Sequence, residues 1–329
     1  MSLPLNIFTT TQAAILIGIA ALLGAVMGSF INCLAWRLAH GESVLKGRSH
    51  CTSCGHALGV LDLVPIVSWL ALRGRCRHCG QRVSPRYVVV EALMAVLFVA
   101  LLVVYGAGVP WLAYAALACI LIGAALVDLD TFTIPNGFVV AAIAVWLLMM
   151  AASVAGAVAW PLVPEGARVA SSSATVDVLM AGGTPEEAVS MFGVGSMFVP
   201  LVGAGWLAGL LDGLAGAVLV GGGILLFSLA FDAVTGKTSL GGGDVKLLFA
   251  VGLFLGVALS LLNLLVACVL GLVFAAVNLR SPQGSAEVQD AGDGSPSAKA
   301  FPFGPAIAAA AMLTVLGGPF VLTWYVGLF

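Results

Sequence analysis

The chain has 329 residues, of which 61% are hydrophobic and only 9% charged, and its mean hydropathy is +1.13. That composition excludes a soluble globular domain and an intrinsically disordered chain. The net charge of −2 says little by itself, and no nucleic-acid partner is expected.

A helix needs about 20 mostly apolar residues to cross the hydrocarbon. Eight such stretches are predicted: Gln12–Trp36, Tyr87–Tyr105, Trp111–Asp128, Gly137–Trp160, Leu201–Ala233, Val245–Val257, Ala258–Asn278 and Phe303–Leu328. Each is continuously apolar rather than alternating, which excludes a barrel. The fold class is therefore an all-α polytopic membrane protein embedded in lipid. Eight of the 13 Lys and Arg residues lie between the first two spans (Arg37, Lys46, Arg48, Arg73, Arg75, Arg77, Arg82 and Arg86). Positive charge stays inside, so that loop is cytoplasmic. Eight alternating crossings then place Lys237, Lys246, Arg280 and Lys299 inside as well, leave only Arg168 outside, and put both termini outside. The first twelve residues carry no basic side chain, so the first span does not read as a cleavable signal peptide.

In chain order, Gly24 and Gly28 lie four apart on the first span and favour close helix packing. Asn32, at its cytoplasmic end, either caps backbone groups or binds substrate. The polar stretch 37–86 follows, carrying Cys51-Thr-Ser-Cys54 and Cys76-Arg-His-Cys79 with 21 residues between the pairs. This is close to zinc-ribbon spacing, in which two knuckles give four thiolates to one tetrahedral Zn²⁺. A domain of about 50 residues buries too little core to stand unaided, which gives a structural metal its purpose. Disulfide or redox chemistry is the competing reading, and a reducing cytosol disfavours it. His50, His56 and His78 lie beside the thiols, but four thiolates already satisfy the ion. Cys33, Cys119 and Cys268 sit in apolar runs as small buried residues.

Two carboxylates lie at the ends of apolar runs, where an ionised group persists for a chemical or transport reason. Asp128 closes the third span, ahead of Ile134-Pro135-Asn136. Asp244 follows Gly241, Gly242 and Gly243, which remove side chains from one face and let a substrate strand approach, with Lys246 just beyond. Two such carboxylates on separate helices suit an aspartyl protease, because neighbours share one proton and can activate a water. Asp130 points about 200° away from Asp128 on a helix, so it is a solvated or substrate-contacting group. Asp212 and Asp232 bracket the fifth span as alternative carboxylates. Glu91 opens the second span and either serves substrate binding or pairs with Arg86 or Lys246. The segment 161–200 has loop composition and is expected outside; 280–302 reads as a flexible cytoplasmic linker. No internal repeat is apparent.

Gly241-Gly242-Gly243-Asp244 resembles the Gly-x-Gly-Asp signature of the type IV prepilin peptidases. Gly28-Ser29-Phe30-Ile31-Asn32 with Trp36-Arg37-Leu38, the four-cysteine loop, Asp128 with Ile134-Pro135-Asn136, Thr235-Gly236-Lys237 and Phe301-Pro302-Phe303-Gly304-Pro305 follow the family order. The departure is the long stretch between about 161 and 200, where a short connection is expected.

The resemblance implies a bacterial inner-membrane aspartyl endopeptidase with Asp128 and Asp244 as its dyad. Such an enzyme cleaves the leader of prepilins or pseudopilins at the cytoplasmic boundary and works alongside type IV pilus or type II secretion machinery. It also implies N-methylation of the new N-terminal residue by S-adenosylmethionine, although no glycine-rich nucleotide turn is visible in the loop. Three units are expected: a first helix at 1–36, a cysteine domain at 37–86 and a peptidase domain at 87–329. The alternative is a proton- or metal-coupled transporter using the paired aspartates. It is weakened by the lack of related halves and by histidines confined to the cytoplasmic loop. A scaffold of a secretion machine would leave the two aspartates without a reason to share a depth.

Overall fold

A computed structural model describes residues 7–44, 47–158, 198, 202, 205–236, 241–280 and 302–326. The expected insert and linker lie almost wholly outside these described residues. Among the described residues, seven helices are long and apolar enough to cross a membrane. They are α1 (Thr10–Ala39), α3 (Arg86–Tyr105), α4 (Val109–Thr131), α5 (Asn136–Val154), α6 (Trp206–Thr235), α7 (Gly242–Arg280) and α8 (Gly304–Val326), with a short α2 (Val67–Ala71) in the polar domain. No named strand occurs among the described residues.

The eight expected crossings and seven helices are reconciled at Gly256. Its φ of 68° and ψ of −170° break α7 into arms 242–255 and 257–280, a backbone state only glycine adopts without strain. The first arm lies antiparallel to α6: a methyl on Gly221 would meet Phe249, and one on Gly213 would meet Leu253. The second arm lies antiparallel to α8, with Gly318 against Leu259 and Gly271 against Phe303. Phe303 precedes Gly304, which bonds Asp128, and Asp128 is the electrostatic neighbour of Asp244. Both arms therefore end on the same side of the bundle, and the chain reverses at Gly256 near the expected boundary between the sixth and seventh spans. Asp212 Oδ1 accepts the Val257 N–H at 3.4 Å, covering one backbone donor at the start of the second arm. That contact gives the aspartate a structural position away from Asp128 and Asp244. Asp232 sits in the last turn of α6, where its carbonyl accepts the Gly236 N–H at 2.9 Å.

Helix starts and stops follow local chemistry. Thr9 Oγ1 accepts the Gln12 N–H at 3.3 Å while Gln12 Oε1 accepts the Thr9 N–H at 3.0 Å, a reciprocal capping box that opens α1. At the other end of the third crossing, Phe132 turns left-handed (φ 55°) and its N–H bonds the Asp128 carbonyl at 2.8 Å. This stops α4 just past the aspartates and sends the chain through Ile134-Pro135 into α5. Lipid gives apolar helices no reason to associate, so packing rests on small residues and polar links. Gly28 supplies one such contact: a methyl there would come 2.8 Å from Glu91 Cα. The Gly24/Gly28 face thus holds α1 against α3, as the spacing predicts. α4 is the central helix, contacting α1, α3, α5 and α8.

Candidate active site and metal centre

The polar domain is built from two copies of one turn. The Cys51 N–H bonds the His56 carbonyl and the Gly55 N–H bonds the Cys51 carbonyl; in the second copy the Cys76 N–H bonds the Gln81 carbonyl and the Gly80 N–H bonds the Cys76 carbonyl. Gly55 and Gly80 have φ of 70° and 71°, so each Cys-x-x-Cys is closed by a glycine in the left-handed state. Single bridges, His50 to Ala57 and Arg75 to Arg82, flank the two turns. The pattern Cys-x-x-Cys-Gly therefore repeats in the sequence, and the expectation of no internal repeat is corrected at this scale. The turns bring the four sulfurs within 4.8 Å of one another, and Cys51 and Cys79 Sγ stand 4.0 Å apart. A tetrahedron of zinc–sulfur bonds requires sulfurs about 3.8 Å apart, so the donor set fits such an ion with a slight contraction. The Ser53 N–H, followed by Cys54, draws the Cys51 thiol down to about 6 against burial. Cys79 has a lowering bond from the Gln81 N–H, yet desolvation and the thiols of Cys76, Cys54 and Cys51 push it up to about 11.

The aspartates are assembled from distant segments. Asp128, only 4% exposed, lies in the last turns of α4. Its Oδ2 accepts the Gly304 N–H at 3.0 Å across 176 residues. Gly304 begins α8, and a methyl on it would come 2.6 Å from Asp128 Oδ2, so glycine is what lets the start of α8 reach the carboxylate. On the other side, Asp244 is the third residue of α7. Its Oδ1 is buried with no hydrogen-bond partner among the described residues, the kind of orphan that calls for a functional explanation. Asp244 lies within electrostatic range of Asp128. Gly243 lies against Ile134, where a methyl would come 3.1 Å from Ile134 Cβ, and Lys246 Nζ donates to Asn136 Oδ1 at 3.0 Å. These two contacts clamp the turn after Asp128 onto the first turn of α7. Gly241 and Gly242 remain exposed and carry no side chains of their own beside Asp244. Gly304 belongs to the quoted closing motif, but its contact with Asp128 has no local signal in the sequence.

The remaining site candidates fall elsewhere. Glu91 pairs with neither Arg86 nor Lys246: its Oε2 accepts the Ile66 N–H at 2.7 Å, tying α3 to the polar domain at a residue held at φ 63°. Arg86 instead donates to Asp130 Oδ1 at 2.6 Å and to the Leu126 carbonyl at 2.9 Å, so Asp130 faces α3. Asn32 donates to the Tyr87 carbonyl at 3.2 Å. Between the cysteine turns, the C-terminal end of α1 and the start of α3 opens a cavity of about 660 Å³, reaching from Cys51 and Cys76 to Asp130.

Residues 22–105 match the Bacterial Peptidase A24 N-terminal domain and residues 187–276 match the Type IV leader peptidase family. A Pseudomonas putida protein described as a prepilin leader peptidase/N-methyltransferase is 30% identical over 335 residues, covering 94% of each chain. The chain belongs to the type IV leader peptidase family. A Bacillus subtilis relative of the same description is 25% identical over 94% of this chain and 98% of its own. An Escherichia coli O78:H11 relative, a type 4 prepilin-like proteins leader peptide-processing enzyme, is 30% identical over 78% of this chain and 83% of its own. No solved structure matches. The first family match covers the second half of α1, the cysteine turns and α3; the second includes Asp244. Membership leaves the transporter alternative without support.

Proposed function

We propose that this member of the type IV leader peptidase family is an intramembrane aspartyl endopeptidase that cleaves the leader of type IV prepilins or pseudopilins, with Asp128 and Asp244 as its catalytic pair. The observation that carries this reading is the convergence of the end of α4, the start of α7 and the start of α8 on two neighbouring carboxylates. Two adjacent carboxylates share one proton. The ionised member takes a proton from water as that water attacks the scissile carbonyl, and the protonated member donates to the developing oxyanion. The exposed glycines at 241 and 242 admit the substrate strand, with Lys246 at the rim.

The finer reading follows the family. Units at 1–36, 37–86 and 87–329 share the work. Cys51, Cys54, Cys76 and Cys79 hold one structural Zn²⁺, and S-adenosylmethionine supplies a methyl group for the new N-terminal amine. The protein lies in the bacterial inner membrane with both termini outside, next to type IV pilus or type II secretion machinery. Incubating the detergent-purified enzyme with a prepilin peptide tests the first activity: mass spectrometry should find cleavage directly before the hydrophobic helix, and an intact peptide with folded enzyme contradicts it. For the second activity, Asp244→Ala protein should still methylate a pre-cleaved peptide.

A further inference from the structure

The stretch from Val60 to Ala71 leaves large apolar side chains uncovered: Val60 is 82% exposed, Leu61 70%, Val67 61% and Leu70 59%. It consists of a 3-10 turn (Val60–Asp62) and α2. Its other face is occupied. Ser68, Trp69 and Leu72 line the 660 Å³ cavity, and Trp69 Nε1 donates to the Val83 carbonyl at 3.3 Å. An apolar face of this kind on a polar domain calls for a partner.

Depth decides which partner. α3 has 20 residues, about 30 Å at 1.5 Å per residue, which is the full thickness of the hydrocarbon. The helix has no turn to spare, so its first residue, Arg86, marks one boundary of the membrane. From Arg86 to Glu91 it descends about 7.5 Å. The Ile66 N–H is bonded to the Glu91 carboxylate at 2.7 Å, and Ile66 is held at φ 63°, ψ −52°, a state that a β-branched residue keeps only where its surroundings impose it. The segment is therefore pinned at the level of the first turns of α3, where headgroups give way to acyl chains. Arg73, Arg75 and Arg82 follow it, all exposed, with Arg75 and Arg82 opposite each other across an antiparallel bridge. Cations beside an apolar face suit a surface of anionic headgroups.

We infer that residues 60–71 form an interfacial anchor, whose outer face of Val60, Leu61, Val67 and Leu70 is immersed in the phospholipid leaflet that α3 enters. Lipid on that face fixes the cavity wall on the other and holds the polar domain down on the membrane. The test uses the full-length protein in vesicles of phosphatidylethanolamine and phosphatidylglycerol. Benzoylphenylalanine replaces Val67 in one variant and Leu70 in another, and after irradiation mass spectrometry should find phospholipid adducts on the peptide that carries the probe. Glu42 is the reference position. Gly28 packs against Glu91, and α1 continues from Gly28 to Ala39, about 16 Å, before the chain reaches the exposed Glu42. The probe at Glu42 should give no lipid adduct. Absence of lipid adducts at both Val67 and Leu70, or equal adducts at Glu42, overturns the anchor. Adducts to a second copy of the chain, or to an added prepilin peptide, in place of lipid also overturn it and make the face a protein-docking surface. Should either variant fail to fold, the probe at Val60, the most exposed of the four, takes its place and the same outcomes decide.

Discussion

The cysteine centre and the aspartate pair differ in how the chain builds them. Each cysteine turn is complete within six residues, closed by two backbone bonds and a glycine, and the two turns lie close in sequence. The aspartate site has no local closure: Asp128 takes its visible hydrogen-bond donor from a residue 176 positions away, and Asp244 arrives on a third segment. The contrast teaches where each centre is fragile. A change within a turn should abolish the metal centre and leave the helices standing, whereas any shift between α4, α7 and α8 should damage the aspartate pair and leave the metal in place.

Removing one thiolate is the largest way to break that contrast. Cys76→Ser leaves three ligands, and because structural zinc sites contribute about 10 kcal/mol or more to folding, the protein should purify without stoichiometric metal and with the polar domain open to protease. The helices should keep their ellipticity. A variant that keeps its metal and its protease resistance contradicts the structural role of the centre. Acid offers a milder route to the same end. The Cys51 thiol falls from an ordinary 9.0 to about 6 in the fold, so the stabilisation its ionisation gives is complete above pH about 9 and is lost as pH falls through about 6. Because bound thiolates must stay deprotonated, metal should likewise be released as pH falls. Cys79, held near 11, is protonated at neutral pH, so loading the metal there should release protons into a weakly buffered solution.

Gly304→Ala reverses the test. A methyl would press on Asp128 Oδ2, and displacement by about 1 Å at a catalytic group costs about 10²-fold in rate. Cleavage should fall by about that factor at full metal content; wild-type cleavage by a folded Gly304→Ala protein contradicts the role of α8 at the site. Lys246→Met removes the bond to Asn136 at an exposed position, so its effect on cleavage should be only a few-fold, on the scale of about 1 kcal/mol for one hydrogen bond. Asp212→Ala should cost about 1 kcal/mol of stability through the Val257 donor it leaves uncovered, read as a lower melting temperature with cleavage retained.

Legibility in the sequence followed the same division. The cysteine centre is readable because its cysteines and its turns are local, although the full Cys-x-x-Cys-Gly repeat is carried by its glycines as well as its cysteines. Helices were readable from apolar length, and the reversal at Gly256 fell near the expected boundary even though no turn-rich stretch marks it: one glycine does the work of a loop. The two aspartates were readable as charges out of place. The donor from Gly304, the tie from Arg86 to Asp130 and the bond from Ile66 to Glu91 were not. Each depends on how helices sit beside one another, and an apolar helix carries no periodic pattern that specifies its neighbour.

The most direct test compares carboxylates by position. Asp128→Asn and Asp244→Asn keep side-chain volume but remove the shared proton, and each should lower prepilin cleavage by roughly 10²–10⁴-fold or more at wild-type metal content. Asp212→Asn and Asp232→Asn, measured in the same assay, should retain substantial cleavage. Near wild-type cleavage by a folded Asp128→Asn or Asp244→Asn protein would contradict the dyad and transfer the chemistry to one of the other aspartates.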